Sequence, residues 1–389
     1  MRFLRLGGNS LTVKVLFITS VPFIRQHEID MYFDTINERF PTEKWDCSKM
    51  FSRETYEVSD LACNRICIHS LDEFRKRLQF IVSMNSSVCI ITNILISKLE
   101  ILYSDIKKYN IPIINIDKEG LASWLAYNGL LHDYHGDSIR DRVATIIMSH
   151  YYLRVAYRFI RRRKAKYDVV FSGYNYYPEN CNAFVKTHNV KYDEYIRAKE
   201  CENIIGTDYI LFLDAALANH PMFANSSRKK MNVEKYIESL NSFFDELEKK
   251  WGMPVVISAH PKSKYAATTF HGRDIIKYKT PQLIRHCSFI VSHYSTSLID
   301  AVLQYKPVIV LTSEDLVTSS TRKSVLMGIE FANILNIRIV DLGKLGEYDY
   351  IFDKHAYDLF LADHVINMKQ INMMNSDFVI QYLNTLETS

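Results

Sequence analysis

Three stretches of the chain combine residue types that can do chemistry at strand-like ends. In residues 209–221 (YILFLDAALANHP) an apolar run stops at a lone acid, Asp214, and a small-residue loop leads to His220. Residues 255–262 (VVISAHPK) end an apolar run in His260, Pro261 and Lys262. Residues 289–297 (FIVSHYSTS) end in Ser295, Thr296 and Ser297. A carboxylate at such a position can act as a nucleophile or a base, or serve only as a turn or N-cap acid. An imidazole at a strand end can reach a phosphate oxygen. Hydroxyls and free amides at a helix start bind phosphate without a cation, and one hydroxyl would suffice for capping where this turn has three. A fourth candidate is Glu119, in the acidic exit Asp117-Lys118-Glu119-Gly120 of another apolar run. It can be a general acid/base or a helix-capping residue.

The elements that must position these groups read as alternating strands and helices. In the first half, strands are expected over 11–19, 88–92, 111–116 and 167–172, with helices over 25–40, 70–83, 97–109 and 140–166. Ser20 and His27 follow the first strand, where loops can bind an acceptor, but the reading as ordinary loop residues is favoured. Residues 174–200 are polar and aromatic with weak periodicity and read as the crossing between halves. Alternation restarts with strands over 209–213, 254–258, 289–292 and 307–311 and helices over 233–251, 281–286 and 297–305. This spacing means βαβ units and parallel sheets. The fold class is therefore α/β, with two Rossmann-like domains facing each other across a cleft. The expected division is 11–200 and 201–389, the second domain ending in closing helices from about 353. Ligands of open α/β sheets bind outside the carboxyl ends of the strands, where the candidate residues fall.

The bulk numbers exclude several classes. A chain of 389 residues suits two domains, and 48% hydrophobic with 24% charged residues is ordinary for a soluble globular protein. A net charge of +4, without a basic face, does not suggest nucleic-acid binding. The seven cysteines are scattered; Cys63 and Cys67 have no second pair to complete a zinc site, so reduced thiols are expected. No run reaches the ~18 apolar residues of a membrane span, and a cytoplasmic protein is expected. The basic stretch RFIRRRKAK, Arg158 to Lys166, is either a solvated helix end or a peripheral contact with anionic lipid or a diphosphate-linked acceptor.

The His-Pro pair His260-Pro261, followed by the Ser/Thr turn Ser295-Thr296-Ser297, resembles the motifs of bacterial CMP-sugar glycosyltransferases of GT-B architecture. These include sialyltransferases and Kdo (3-deoxy-D-manno-oct-2-ulosonic acid) transferases. The resemblance implies that His260, Pro261, Lys262 and Ser295–Ser297 bind the CMP portion of the donor. The acid motif departs from the sialyltransferase pattern of paired acids before Gly. The single Asp214 is more similar to retaining β-Kdo transferases of O-antigen and related surface glycans, in which the matching aspartate is taken as a nucleophile. That resemblance implies a cytoplasmic, metal-independent enzyme with no cofactor besides its CMP-Kdo donor, and a surface-glycan acceptor, lipid-linked in one version. Glu119 and His220 are then candidates to deprotonate the acceptor, and Lys262 or Arg197 to meet the sugar carboxylate. Three alternatives stand beside it: an inverting CMP-sialic acid transferase with Asp214 as general base, a non-catalytic nucleotide- or glycan-binding protein, and an enzyme of nucleotide-diphosphate sugars, for which no Asp-x-Asp motif is visible.

Overall fold

A computed structural model describes residues 13–51, 61–117, 164–173, 181–218, 229–261, 263–343 and 349–387. Among the described residues, thirteen strands fall into two all-parallel sheets. The first holds β1 (Lys14–Thr19), β2 (Thr42–Asp46), β3 (Arg65–Cys67), β4 (Val88–Thr92), β5 (Ile113–Ile116), β6 (Tyr167–Ser172) and β7 (Cys181–Lys186), in the order β3-β2-β1-β4-β5-β6-β7. The second holds β8 (Ile210–Leu213), β9 (Val255–Ser258), β10 (Ile275–Ile276), β11 (Phe289–Ser292), β12 (Val308–Thr312) and β13 (Arg338–Asp341), in the order β10-β9-β8-β11-β12-β13. Both are the 3-2-1-4-5-6 order of doubly wound sheets, extended by one strand in the first. The α/β expectation of two Rossmann-like sheets with interleaved helices therefore stands.

The chain divides into two compact units. One comprises Met1–Lys118, Ile160–Val190 and Asn367–Ser389; the other comprises Glu119–Phe159 and Lys191–Ile366. From the sequence, the boundary is expected at 200, with the whole tail in the second half. The structure instead returns the last helix, Asn375–Glu387, to the first unit. Its Phe378, Val379, Ile380 and Leu383 join the core of Val15, Phe17, Cys89, Ile91, Ile114 and Phe171. His188 locks this return. Its backbone N–H donates to Asn375 Oδ1 at 2.9 Å, its Nδ1 accepts from the Asn367 amide at 3.0 Å, and its Nε2 lies 3.1 Å from the Gln370 carbonyl.

Each core forms because apolar strands are covered on both faces, which is what continuous apolar runs imply in a parallel sheet. β8, β9 and β11 are buried at every position. The helix Val233–Trp251 shows how one cover is specified. Asn232 Oδ1 accepts from Lys235 N at 3.1 Å as its N-cap, and Gly252 ends it with φ 66°. Leu240, Phe243, Phe244 and Leu247 recur at helical spacing and pack on Phe212, Val255 and Ile257. Burying each such side chain contributes about 1.5–3 kcal/mol.

Some elements depart from the sequence reading. The helix expected over 25–40 is broken into Arg25–Asp30 and Phe33–Asn37, because Tyr32 sits left-handed at φ 57°. β2 (TEKWD) is too polar to read as a strand. Its Lys44 is nonetheless buried, with Nζ 2.6 Å from Glu28 Oε1. Residues 174–200 carry β7 and the helix Lys191–Ala198 rather than only a polar crossing. Most of the helix expected over 140–166 lies outside the described residues, and Lys164–Lys166 are not helical.

Candidate functional site

β9, β8 and β11 are consecutive neighbours in the second sheet. Asp214, His260 and Ser295–Ser297 each follow one of them. All three segments therefore leave the same, carboxyl, edge of the sheet. The order reverses between β8 and β11, the topological switch point at which open α/β sheets bind their ligands.

Asp214 is 5% exposed, and its carboxylate is fully occupied by its surroundings. Oδ1 accepts from the Ala216 amide at 2.8 Å and from the Tyr265 hydroxyl at 3.1 Å. Oδ2 accepts from the His260 amide at 3.1 Å and from Ser263 Oγ at 2.6 Å. Four donors match the roughly four acceptor positions of a carboxylate. The left-handed Ala216, at φ 54°, folds the post-strand loop back so that its N–H reaches Oδ1. Burial and then the Asp214 charge raise the Tyr265 pKa, so its hydroxyl stays a neutral donor. Asp214 thus braces the loop that carries His260 and Pro261. The His260 ring is half-buried and Pro261 is exposed. Ser263 and Tyr265, which complete this brace, were missed by sequence reasoning. Their only signal was the polar run after the His-Pro pair.

The Ser/Thr turn is held from beneath. His293, directly after β11, is completely buried. Its Nδ1 faces the Leu311 carbonyl at 2.9 Å, which can only accept, so Nδ1 carries the proton and Nε2 accepts from the Tyr236 hydroxyl at 3.0 Å. Burial lowers its pKa to about 4, keeping the ring neutral. Gly328, on the helix Arg322–Ile334, lies so close beneath that a Cβ there would stand 1.9 Å from the His293 carbonyl oxygen. Within the turn, Ser295 Oγ accepts from the Ser297 amide at 3.2 Å, Thr296 is exposed, and Ser297 makes no side-chain cap. The following helix, Leu298–Leu303, is six residues long rather than the expected 297–305. Its dipole is correspondingly small.

Asp300, within that helix, is a further residue that sequence reasoning missed. It is fully buried, and its carboxyl oxygens have no well-formed hydrogen bond, the Ser297 side chain giving at most a weak one. Burial raises its pKa, and Lys191 Nζ at 3.8 Å only partly offsets this. A lone acid inside the apolar run LIDAVL was the available signal.

Glu119, His220 and Lys262 lie outside the described residues, as do residues 158–163 of the basic stretch. Arg197 is exposed on the helix Lys191–Ala198. Among the described residues there is no group of three or more His, Cys, Asp or Glu able to hold a metal ion. No described helix is long and apolar enough to cross a membrane.

No protein-family model and no curated protein matches the chain. Solved structures do resemble it. UDP-GlcNAc 2-epimerase of Methanocaldococcus jannaschii, in complex with UDP-GlcNAc and UDP, aligns at 13% identity over 96% of this chain and 100% of that one, with TM-score 0.44. Phytolacca americana UGT2, complexed with UDP-2fluoro-glucose and pterostilbene, aligns at 10% identity over 96% and 94%, with TM-score 0.46. The Neisseria meningitidis UDP-GlcNAc 2-epimerase bound to UDP-GlcNAc aligns at 13% over 96% and 100%, with TM-score 0.43. Likeness at this distance decides neither donor nor reaction.

Proposed function

We propose that the chain is a glycosyltransferase of GT-B type that binds a CMP-activated sugar on the second unit and transfers Kdo to a surface-glycan hydroxyl. The observation that carries this reading is the convergence of the braced His260-Pro261 loop and the Ser295–Ser297 turn at the switch point of one sheet. The CMP-Kdo donor follows from the motif resemblance. A CMP donor has a single phosphate, which His260 and the turn hydroxyls suit: their hydrogen bonds stabilise charge developing on the leaving CMP. In transfer, the bond from the anomeric carbon to the phosphate oxygen breaks, CMP leaves, and the acceptor oxygen bonds to that carbon as its proton passes to a base. Glu119 and His220 remain the proposed bases.

For Asp214 the four hydrogen bonds favour a positioning part. To attack an anomeric carbon in the retaining route, an Asp214 oxygen would have to exchange a Ser263 or Tyr265 hydroxyl for the sugar. The backbone donors from Ala216 and His260 cannot turn away without moving the loop.

Calorimetry with CMP, using UDP as the competing nucleotide, tests the donor site. The expected outcome is CMP binding that weakens about tenfold or more in His260→Ala, the worth of one charge-assisted hydrogen bond. Absence of CMP binding, or binding indifferent to His260, refutes the reading. CMP bound without CMP-Kdo hydrolysis or transfer would leave a non-catalytic binding protein. Intact-mass measurement with CMP-Kdo separates the two parts of Asp214, since only the nucleophile gives a Kdo-sized adduct that Asp214→Asn abolishes.

A further inference from the structure

A second site opens in the first unit, at the carboxyl end of β1, β2 and β3. It is a cavity of about 250 Å³ whose lining includes Ser20, Asp46, Lys49, Arg65 and Lys98. The charges there are unbalanced: three cations face one carboxylate, a local net of +2. Asp46 pairs with Arg65 and is otherwise turned inward and committed to backbone donors. It is 4% exposed and accepts from the Phe23 and Ser48 amides, both at 3.0 Å. Its Oδ2 also lies 3.4 Å from Arg65 Nε, which lacks a well-formed hydrogen bond. The Arg65 guanidinium is tethered at its other end to the Ala62 carbonyl at 3.3 Å. Lys98 is half-buried, with its ammonium 5.5 Å over the Phe51 ring, and Lys49 is exposed. Neither ammonium has a carboxylate partner among the described residues.

Grouping three cations with a single carboxylate around a concave surface costs repulsion, which an anionic ligand removes. A guanidinium fork fits the planar oxygens of carboxylate or phosphate, and two ammoniums add charge without fixing geometry. The position, outside the carboxyl ends of parallel strands, is where such sheets bind ligands. The volume lies just below the range of drug-sized pockets and suits one monosaccharide-sized group.

We propose that this cavity binds an oxyanion, the carboxylate or phosphate of the acceptor glycan, making the acceptor an anionic sugar. The acceptor role rests on the glycosyltransferase reading; the oxyanion site itself does not. The test uses the full chain and four probes, glucuronate, glucose 1-phosphate, inorganic phosphate and glucose, followed by calorimetry or ligand-observed NMR. At least one anionic probe is expected to bind at least about tenfold more tightly than glucose. That advantage should fall about tenfold or more in the Lys49→Gln/Lys98→Gln double variant and shrink between low and moderate salt. Preference for glucuronate identifies a carboxylate source, and preference for the phosphates identifies a phosphate source. Anionic probes that bind no better than glucose, or whose binding survives the double substitution, overturn the proposal. CMP binding serves as the control. It concerns the second unit, so its loss would strike the donor reading while leaving this measurement intact.

Discussion

Replacing Asp214 by alanine is expected to destabilise the second unit by about 4 kcal/mol, before any effect on activity. The substitution strands four donors in a site that is 5% exposed: the amides of Ala216 and His260 and the hydroxyls of Ser263 and Tyr265. The hydroxyls can rotate toward other acceptors or water. The two amides cannot, and each hydrogen bond to a charged group is worth about 1.5–3 kcal/mol. Counting the amides alone gives about 3–6 kcal/mol. Asp214→Asn keeps one oxygen but turns an NH2 group toward one of the two amides, so about half the loss, ~2 kcal/mol, is expected. The whole chain need not unfold in one step, so hydrogen exchange across residues 255–270 accompanies urea unfolding. The His260 amide should lose at least tenfold protection in the alanine variant. A carboxylate kept only for chemistry behaves oppositely, its removal leaving stability unchanged or improved. An alanine variant within about 0.5 kcal/mol of the native protein, with unaltered loop exchange, would refute the bracing argument.

Two further outcomes follow from the residues beneath the Ser/Thr turn. Gly328→Ala would ordinarily stabilise a helix by up to about 1 kcal/mol. Here the new Cβ meets the His293 carbonyl oxygen at 1.9 Å, so thermal melting should instead show a loss of about 3 kcal/mol; an unchanged or raised melting temperature contradicts the packing. His293 has a folded pKa of about 4, against ~6.5 for an unfolded histidine. The unfolded chain therefore binds the extra proton first, and stability present above pH ~6.5 is lost as pH falls toward 4. At about 1.4 kcal/mol per pH unit this amounts to roughly 3 kcal/mol. Denaturation curves for His293→Gln should lack that part of the acid slope, and parallel curves for the two proteins would falsify the assignment.

Much of the strand framework was legible because continuous apolar runs have few other fates in an α/β chain. β4, β6 and β11 run over the residues their sequences suggest, as does the helix Val233–Trp251. The strands that escaped notice are β2 with its buried Lys44–Glu28 pair, β3 with three residues, β10 with two, and β7 (CNAFVK) and β13 (RIVD), which mix polar and apolar residues. Their membership is conferred by a neighbouring strand that supplies hydrogen bonds and by a partner that neutralises the charge. Neither cause is local. The candidate site was legible to the same extent. Asp214, His260 and Ser295–Ser297 could be placed at strand ends, but what each side chain touches could not.

The sequence by itself determined that two parallel sheets form and that an acid, a histidine and three hydroxyls leave their strands at carboxyl ends. Hydrophobic periodicity and turn chemistry suffice for that, since both act between residues close along the chain. Only the tertiary structure decided that Asp214 is occupied by donors that include residues 46 to 51 positions away, that His293 and Asp300 are sealed from solvent, and that the last helix belongs to the first unit. Those outcomes depend on which surfaces meet across long loops. The same Asp pattern fits a free nucleophile or a saturated brace, and the positions of Ser263 and Tyr265 in space favour the brace.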